Sequence, residues 1–181
     1  MNQVPEIFTT ERLLIRRPLL SDAAAIYEYA SDPEVTRYMD WRTHIDIRDS
    51  VTFLEACAPR WESGQEFCWV ITVKPDERAV GVVACRVQGH TADFGYALNR
   101  QSWGQGYATE AARTVTAWAM SLPGVYRVWA TCDTENVASV RVLEKTGLVL
   151  EGRLRRSMIR PNLAEKPRDT FVFATVQDDP A

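Results

Sequence analysis

Short runs in which apolar residues alternate with polar ones, or follow one another, predict seven β-strands along the chain. The first strand is expected over residues 12–17, where Pro18 stops it. Six more are expected over residues 67–73, 80–87, 92–98, 126–132, 153–160 and 170–176. The polar turn over residues 74–78 predicts a hairpin between the second and third strands, and residues 161–167 are expected to join the last two.

Apolar residues at helical spacing predict α-helices in most of the segments between these strands. Ser21 and Asp22 offer a cap for a helix over Ala23–Ala30, and Asp32 begins a second, short helical piece. Longer helices are expected over residues 45–62, 108–122 and 136–146, with Gly147 suited to end the last one. The order β-α-α-β-β-β-α-β-α-β-β predicts a mixed α/β layer structure, and residues 1–181 suit a single domain.

Composition narrows the classes of protein that fit this pattern. No apolar run is long enough to span a membrane, and the N-terminal segment lacks the features of a secretory signal, so a cytoplasmic protein without a membrane partner is expected. The net charge of −3 argues against a role in coating nucleic acid. The four cysteines form no C-x-x-C pair, so buried free thiols are expected rather than disulfides or a metal site.

A glycine-rich turn between a predicted strand and a predicted helix carries the strongest chemical signal. Gly104 and Gly106 lack side chains, so the backbone there can approach a ligand closely. The helix that follows directs its unpaired N–H groups and the positive end of its dipole at the turn. Because the turn lacks the Lys-Ser/Thr pair of a nucleotide P-loop, we interpret it as a pyrophosphate cradle. The alternative is a surface turn that caps a core helix.

Five sequence segments, spread over nearly the whole chain, extend this signal. They are Thr10-Glu-Arg-Leu-Leu-Ile-Arg16, Asp32-Pro-Glu-Val-Thr-Arg-Tyr38, Gly95-Tyr-Ala-Leu98, Trp103-Gly-Gln-Gly-Tyr-Ala-Thr-Glu-Ala111 and Asn136-Val-Ala-Ser-Val-Arg-Val-Leu-Glu-Lys-Thr-Gly147. In them the chain resembles the GCN5-related N-acetyltransferases (GNAT), and within these the branch that acetylates N-termini of ribosomal proteins. The resemblance implies a central, mostly antiparallel sheet of about seven strands, splayed at the cofactor site and flanked by helices. It also implies acetyl-CoA as co-substrate, without a metal.

The cofactor motif of that family, Q/R-x-x-G-x-G/A, fits this chain in two registers. We prefer the register that begins at Trp103, because it leaves Tyr107 and Ala108 to open the helix, although a register that begins at Gln101 fits the letters of the motif. By resemblance, the pyrophosphate would be held by the backbone of Trp103, Gly104, Gln105, Gly106, Tyr107 and Ala108. The strand over residues 92–98 would bind the pantetheine, with a backbone N–H near Leu98 facing the thioester carbonyl.

Other residues would meet the coenzyme or the reacting atoms. Lys145, Arg100 and Arg113 are candidates for the adenosine phosphates, the alternative being ordinary solvated charges. Asn136 and Ser139 lie three residues apart on one helix face. The resemblance implies that Asn136 binds the cofactor and that Ser139 hydrogen-bonds or protonates the thiolate, whereas the sequence position alone also fits a helix cap.

The general base and the acceptor are less well defined by the sequence. Asp93 and Glu151 are the candidate bases, and a water chain is the alternative route for the proton. Each carboxylate can also be an ordinary solvated surface group. Tyr38, Met39, Trp41 and residues 158–167 are expected to wall the acceptor groove. The expected acceptor is a protein α-amino group, attacked directly in a ternary complex, with a small-molecule amine as the alternative. A non-catalytic acyl-CoA sensor and a nucleotide-binding regulatory domain are the competing classes, and a homodimer is left open.

Overall fold

Eight β-strands form the centre of the molecule in the computed structural model, which describes residues 4–177. The strands are β1 (Ile7–Thr9), β2 (Leu13–Arg16), β3 (Phe67–Val73), β4 (Ala79–Gln88), β5 (Thr91–Leu98), β6 (Arg127–Asp133), β7 (Val149–Arg160) and β8 (Ala164–Val176). They join one sheet in the order β1-β2-β3-β4-β5-β6-β8-β7. The β5–β6 pair is parallel and the other neighbouring pairs are antiparallel.

Within residues 4–177, five α-helices cover the sheet, and their ends follow local sequence signals. They are α1 (Ala23–Ala30), α2 (Pro33–Thr36), α3 (Ile47–Glu62), α4 (Tyr107–Met120) and α5 (Val137–Thr146). The Asp46 side chain accepts a hydrogen bond from the Arg48 N–H at the start of α3. Gly147 ends α5 with a φ of 100°, a left-handed conformation that glycine adopts at little cost. No helix within residues 4–177 combines the length and the apolar character that crossing a membrane requires.

The predicted fold class is confirmed, with one strand more than expected. Strand β1 pairs with β2 from Ile7↔Arg16 to Thr9↔Leu14, but three residues are too few to show a pattern in the sequence. Strands β7 and β8 are also longer than predicted. Strand β7 begins at Val149 instead of Arg153, and β8 begins at Ala164 instead of Thr170. Pro167 is tolerated there because the β7–β8 register shifts between Met158 and Arg160, where the ladder opposite Pro167 is irregular.

Apolar side chains on both faces of the central strands hold the two helical layers to the sheet. Strand β3 is buried along nearly its whole length: Trp69 and Ile71 join the core beneath α4 and α5, while Val70 joins the core beneath α1 and α3. This explains why β3 is almost continuously apolar instead of alternating. The sheet therefore forms a rigid middle layer from which the site is built.

The sheet opens between β5 and β6. These two strands pair only from Thr91↔Arg127 to Asp93↔Trp129. Beyond residue 93 the edge of β5 that faces β6 has no strand partner among the described residues, so the backbone N–H and C=O groups over residues 94–97 that point away from β4 are left for another binding partner. A ligand with its own amide groups can bind there as an added strand.

Candidate active site

A continuous cleft of about 1880 Å³ is lined by residues on both sides of the opening between β5 and β6. At one end, the expected cofactor end, it is lined by the glycine-rich turn and the first turns of α4 and α5. At the other end, the expected acceptor end, it is lined by the loop after α2, by α3 and by the β7–β8 hairpin.

The glycine-rich turn has the backbone geometry of an anion cradle. Gly104 and Gly106 have φ values of 76° and 83°, in the left-handed region that disfavours other residues. Gly106 is the N-cap of α4, so the helix begins at Tyr107 and its first N–H groups face the turn. This helix start agrees with the motif register that begins at Trp103. The Trp103 indole Nε1–H donates to the Leu98 carbonyl at 2.8 Å and joins the turn to the end of β5.

Arg12, on the loop before β2, fixes the position of the glycine-rich turn through its side-chain contacts. Its Nη1 donates to the Gln105 carbonyl at 2.8 Å, its Nε donates to Glu110 at 2.8 Å, and its guanidinium lies 4.8 Å from the centre of the Tyr107 ring. Burial opposes ionisation of Glu110, but hydrogen bonds from Thr10 and Arg12 outweigh it, so the pKa of Glu110 is lowered. The sequence alone does not reveal this positioning role of Arg12, although the residue lies inside the segment over residues 10–16.

Two of the three residues predicted to meet phosphate groups line the cleft, and the third does not. Lys145 and Arg113 both line the cofactor end of the cleft. The Arg113 Nε also donates to the Lys145 carbonyl at 2.8 Å, which holds α4 and α5 together at this end. Arg100 instead forms an ion pair with Asp32 at 3.1 Å and does not line the cleft. The structure therefore favours Lys145 and Arg113 over Arg100 as phosphate partners.

Two hydroxyl groups meet in the middle of the cleft. The Tyr96 Oη on β5 lies 3.0 Å from the Ser139 Oγ on α5, and either one can be the donor. The Asn136 Oδ1 accepts from the Ser139 N–H at 3.1 Å, so Asn136 caps α5 and also lines the cleft. Burial raises the pKa of Tyr96 above its ordinary value, despite the hydrogen bond with Ser139 that lowers it. Tyr96 was missed as a site residue, because a tyrosine in a strand equally fits core packing.

The two candidate bases occupy different surroundings. Asp93 lines the cleft, is 14% exposed and accepts from the Arg86 Nε at 2.9 Å. Three residues of extended strand separate it from Tyr96, about 10 Å along β5, so a proton from the reaction centre would reach it through water. Glu151 does not line the cleft: it accepts from the Arg127 Nη1 at 2.7 Å, beside the closed end of the β5–β6 opening. Its place after α5 in the sequence does not bring it to the centre, because β7 returns along the far side of β8.

Of the segments expected to wall the acceptor groove, the loop after α2 and the end of β7 line the cleft, whereas residues 161–167 do not. Tyr38, Met39, Trp41 and Met158 all line it. Asn162, at the tip of the β7–β8 hairpin, joins the hairpin to the loop after α2. Its Nδ2 donates to the carbonyls of Thr36 and Trp41, both at 2.8 Å, and its Oδ1 accepts from the Thr43 N–H at 3.0 Å. Asn162 was not singled out in the sequence, because its role depends on contacts between distant segments.

Other ionisable groups limit the chemistry of the centre. Burial raises the pKa of Cys132 to about 11 and that of Cys85 to about 12, so both thiols are protonated at neutral pH. A thiol in this state is a poor nucleophile. Within residues 4–177, no three His, Cys, Asp or Glu side chains are grouped so that they could hold a metal ion.

A sheet that parts between two parallel strands, with a glycine cradle beside the gap, is the arrangement that the resemblance to the GNAT family implies. A family model described as "Acetyltransferase (GNAT) domain" matches residues 12–149. The chain therefore belongs to the GNAT acetyltransferase family, and it is an N-acetyltransferase. The resemblance seen in the sequence is confirmed.

Relatives and solved structures agree with this assignment. The chain is 29% identical over 174 residues to YoaA of Bacillus subtilis, described as an uncharacterised N-acetyltransferase, covering 94% of this chain and 97% of that protein. A GNAT-family acetyltransferase from Bacillus anthracis has a TM-score of 0.82 at 26% identity, covering 96% and 99% of the two chains. The ribosomal L7/L12 alpha-N-protein acetyltransferase RimL, solved with coenzyme A, has a TM-score of 0.83 at 18% identity, covering 96% and 99%. The RimL likeness is one of fold.

Proposed function

We propose that this N-acetyltransferase transfers the acetyl group of acetyl-CoA to the N-terminal α-amino group of a protein, such as a ribosomal protein, by direct attack in a ternary complex. The proposal is carried by the cleft, which is lined by the glycine cradle and also by the loop after α2 and the β7–β8 hairpin, with the Tyr96–Ser139 pair among its lining residues. Acetyl-CoA fits the cofactor end, because the cradle of Gly104 and Gly106 suits a pyrophosphate and the free edge of β5 suits the pantetheine amides. We also propose that the protein acts in the cytoplasm.

The chemistry assigned to the chain is a balanced acyl transfer. The neutral amine attacks the thioester carbonyl, the new C–N bond forms and the C–S bond breaks. Ser139, hydrogen-bonded to Tyr96, donates a proton to the departing thiolate and recovers one from solvent, while the amine loses one proton to water or, through water, to Asp93. The protonated state of Cys132 supports direct attack over an acyl-enzyme, since a competent thiolate is not available there at neutral pH.

Cleft size supports a protein acceptor. Its volume of about 1880 Å³ exceeds the roughly 300–1,000 Å³ of a common small-ligand pocket, which leaves room for an extended peptide beside the coenzyme. RimL, whose fold is similar, is described as acting on ribosomal L7/L12. A small-molecule amine is the second candidate, favoured by the hairpin tip that Asn162 fastens over the acceptor end.

Two assays separate these functions. A thermal-shift panel should show stabilisation by acetyl-CoA and CoA but not by ATP or NAD, because a ligand stabilises the folded state that binds it. Thiol release should then follow the addition of peptides with a free N-terminus. Release with small amines alone would favour the second candidate. CoA binding without thiol release for any amine would indicate a sensor, and stabilisation by nucleotides alone would indicate a regulatory domain.

A further inference from the structure

Arg160, the last residue of β7, places a buried guanidinium on the wall of the acceptor end. The residue is 6% exposed and lines the cleft. Its Nε has no hydrogen-bond partner among residues 4–177. None of the ion pairs formed within that part of the chain includes Arg160. A buried cation without a counter-ion is unfavourable, so this arrangement calls for an explanation.

Neighbouring carboxylates do not neutralise this guanidinium. The Asp133 carboxylate is held by Arg168, with N–O distances of 2.7 and 3.1 Å. Asp40 also acts on Arg160 through its charge, but it lies beyond ion-pair distance. Burial lowers the pKa of Arg160 from its ordinary value, and the charges of Asp40 and Asp133 oppose that shift only in part.

The position of Arg160 relative to the reaction centre suggests what the missing partner is. Arg160 acts electrostatically on Cys132, whose side chain contacts Ser139. Arg160 also lies two residues before Asn162, whose side chain contacts the loop after α2, so it stands at the acceptor end of the cleft and not at the turn over residues 103–108. A phosphate of the coenzyme is not its natural partner, whereas an anionic group carried by the acceptor is.

We propose that Arg160 binds a carboxylate that the acceptor carries within a few bonds of its amine. The planar guanidinium can donate two parallel hydrogen bonds to a carboxylate, and the dry surroundings strengthen that contact. The carboxylate comes either from an Asp or Glu side chain in the first two residues of a protein, or from the α-carboxylate of a free amino acid. The inference rests on the proposed function in one respect, that the acceptor is an amine.

The test measures binding to the CoA-saturated protein by titration calorimetry, so that no turnover is needed. The probes are two peptides that differ only in an N-terminal Asp or Asn, together with free aspartate and its α-amide. Arg160→Met removes the charge and keeps an unbranched side chain. Arg155→Met, at an exposed position of the same strand, is the matched control. In one of the two pairs, we expect the probe with the carboxylate to bind about tenfold more tightly than its amide counterpart. Arg160→Met should lose this preference and Arg155→Met should keep it.

Thermal denaturation of the unliganded variants supplies an independent readout. Arg160→Met should keep or raise the melting temperature, because it removes an uncompensated buried charge. Equal affinities for acid and amide in the wild type, or a preference that survives Arg160→Met, would overturn the proposal. The peptide pair and the amino-acid pair distinguish the two sources of the carboxylate. If the carboxylate probe binds more tightly but no probe is acetylated, the anion site is supported and the proposed function is contradicted. If acid and amide probes are acetylated equally, the proposed function is supported and the anion site is contradicted.

Discussion

Removal of the Ser139 hydroxyl is the sharpest test of how the thiolate leaves. The Tyr96 hydroxyl lies 3.0 Å from the Ser139 Oγ and loses this hydrogen-bond partner in Ser139→Ala. The cleft also loses the proton donor that Ser139 supplies from α5. The backbone N–H of residue 139 still caps onto Asn136, because that bond uses no side-chain atom of Ser139. The fold and the cofactor site should therefore survive.

The expected size follows from the chemistry of a thiol leaving group. General acids contribute about 10²–10⁴-fold, and a thiolate needs less assistance than an alkoxide because thiols ionise near pH 8.5. We therefore expect kcat to fall about 100-fold, or about 2.7 kcal/mol in the activation barrier, with the Kd for acetyl-CoA nearly unchanged.

Tyr96→Phe completes the comparison. If Ser139 donates the proton and Tyr96 orients it, the double variant should be no slower than Ser139→Ala alone. Because burial raises the pKa of Tyr96, its phenol stays protonated and kcat should not decline on its account below about pH 10. Initial rates of thiol release, with acetyl-CoA binding measured separately, check both points. Equal losses in kcat and in acetyl-CoA affinity, or no loss at all, would leave Ser139 as a positioning or capping residue.

Three further changes probe other parts of the site. Gly106→Val should abolish acetyl-CoA stabilisation in a thermal-shift assay, whereas Gly64→Val, at a similar φ of 72° but away from the cleft, should retain it; retained binding in both would refute the cradle. Asn162→Ala removes three hydrogen bonds of about 1 kcal/mol each and should raise the acceptor KM at least about tenfold without changing that for acetyl-CoA; a parallel rise in both would contradict this. Glu110→Gln should destabilise the protein near pH 7. The lowered pKa of Glu110 means that this difference shrinks as the pH falls through that pKa, and urea unfolding at several pH values should show it; a constant difference would be inconsistent.

Local chemistry explains what the sequence could predict. Gly104 and Gly106 adopt positive φ values, Asn136 caps α5 and Gly147 ends it, and each of these features depends on only a few neighbouring residues. The strand before the turn and the helix after it follow from residue periodicity. The cofactor end of the cleft could therefore be located without coordinates.

Contacts between distant segments explain what the sequence could not predict. Tyr96 meets Ser139 across 43 positions, and Asn162 meets Trp41 across 121, so neither role leaves a local pattern. Arg160 lies in a strand whose residues are mostly exposed, and only the packed hairpin shows that this one is buried. Glu151 shows the converse, since closeness to α5 in the sequence does not place it among the residues that line the cleft.

Transfer to a protein α-amino group is tested most directly by mass spectrometry of one peptide in two forms. Both forms carry a lysine, and one has its N-terminus blocked. After incubation with acetyl-CoA, the account predicts one added acetyl group on the α-amine of the free peptide and none on the blocked one. Acetylation of the lysine in both forms, or of neither peptide while small amines are acetylated, would contradict it.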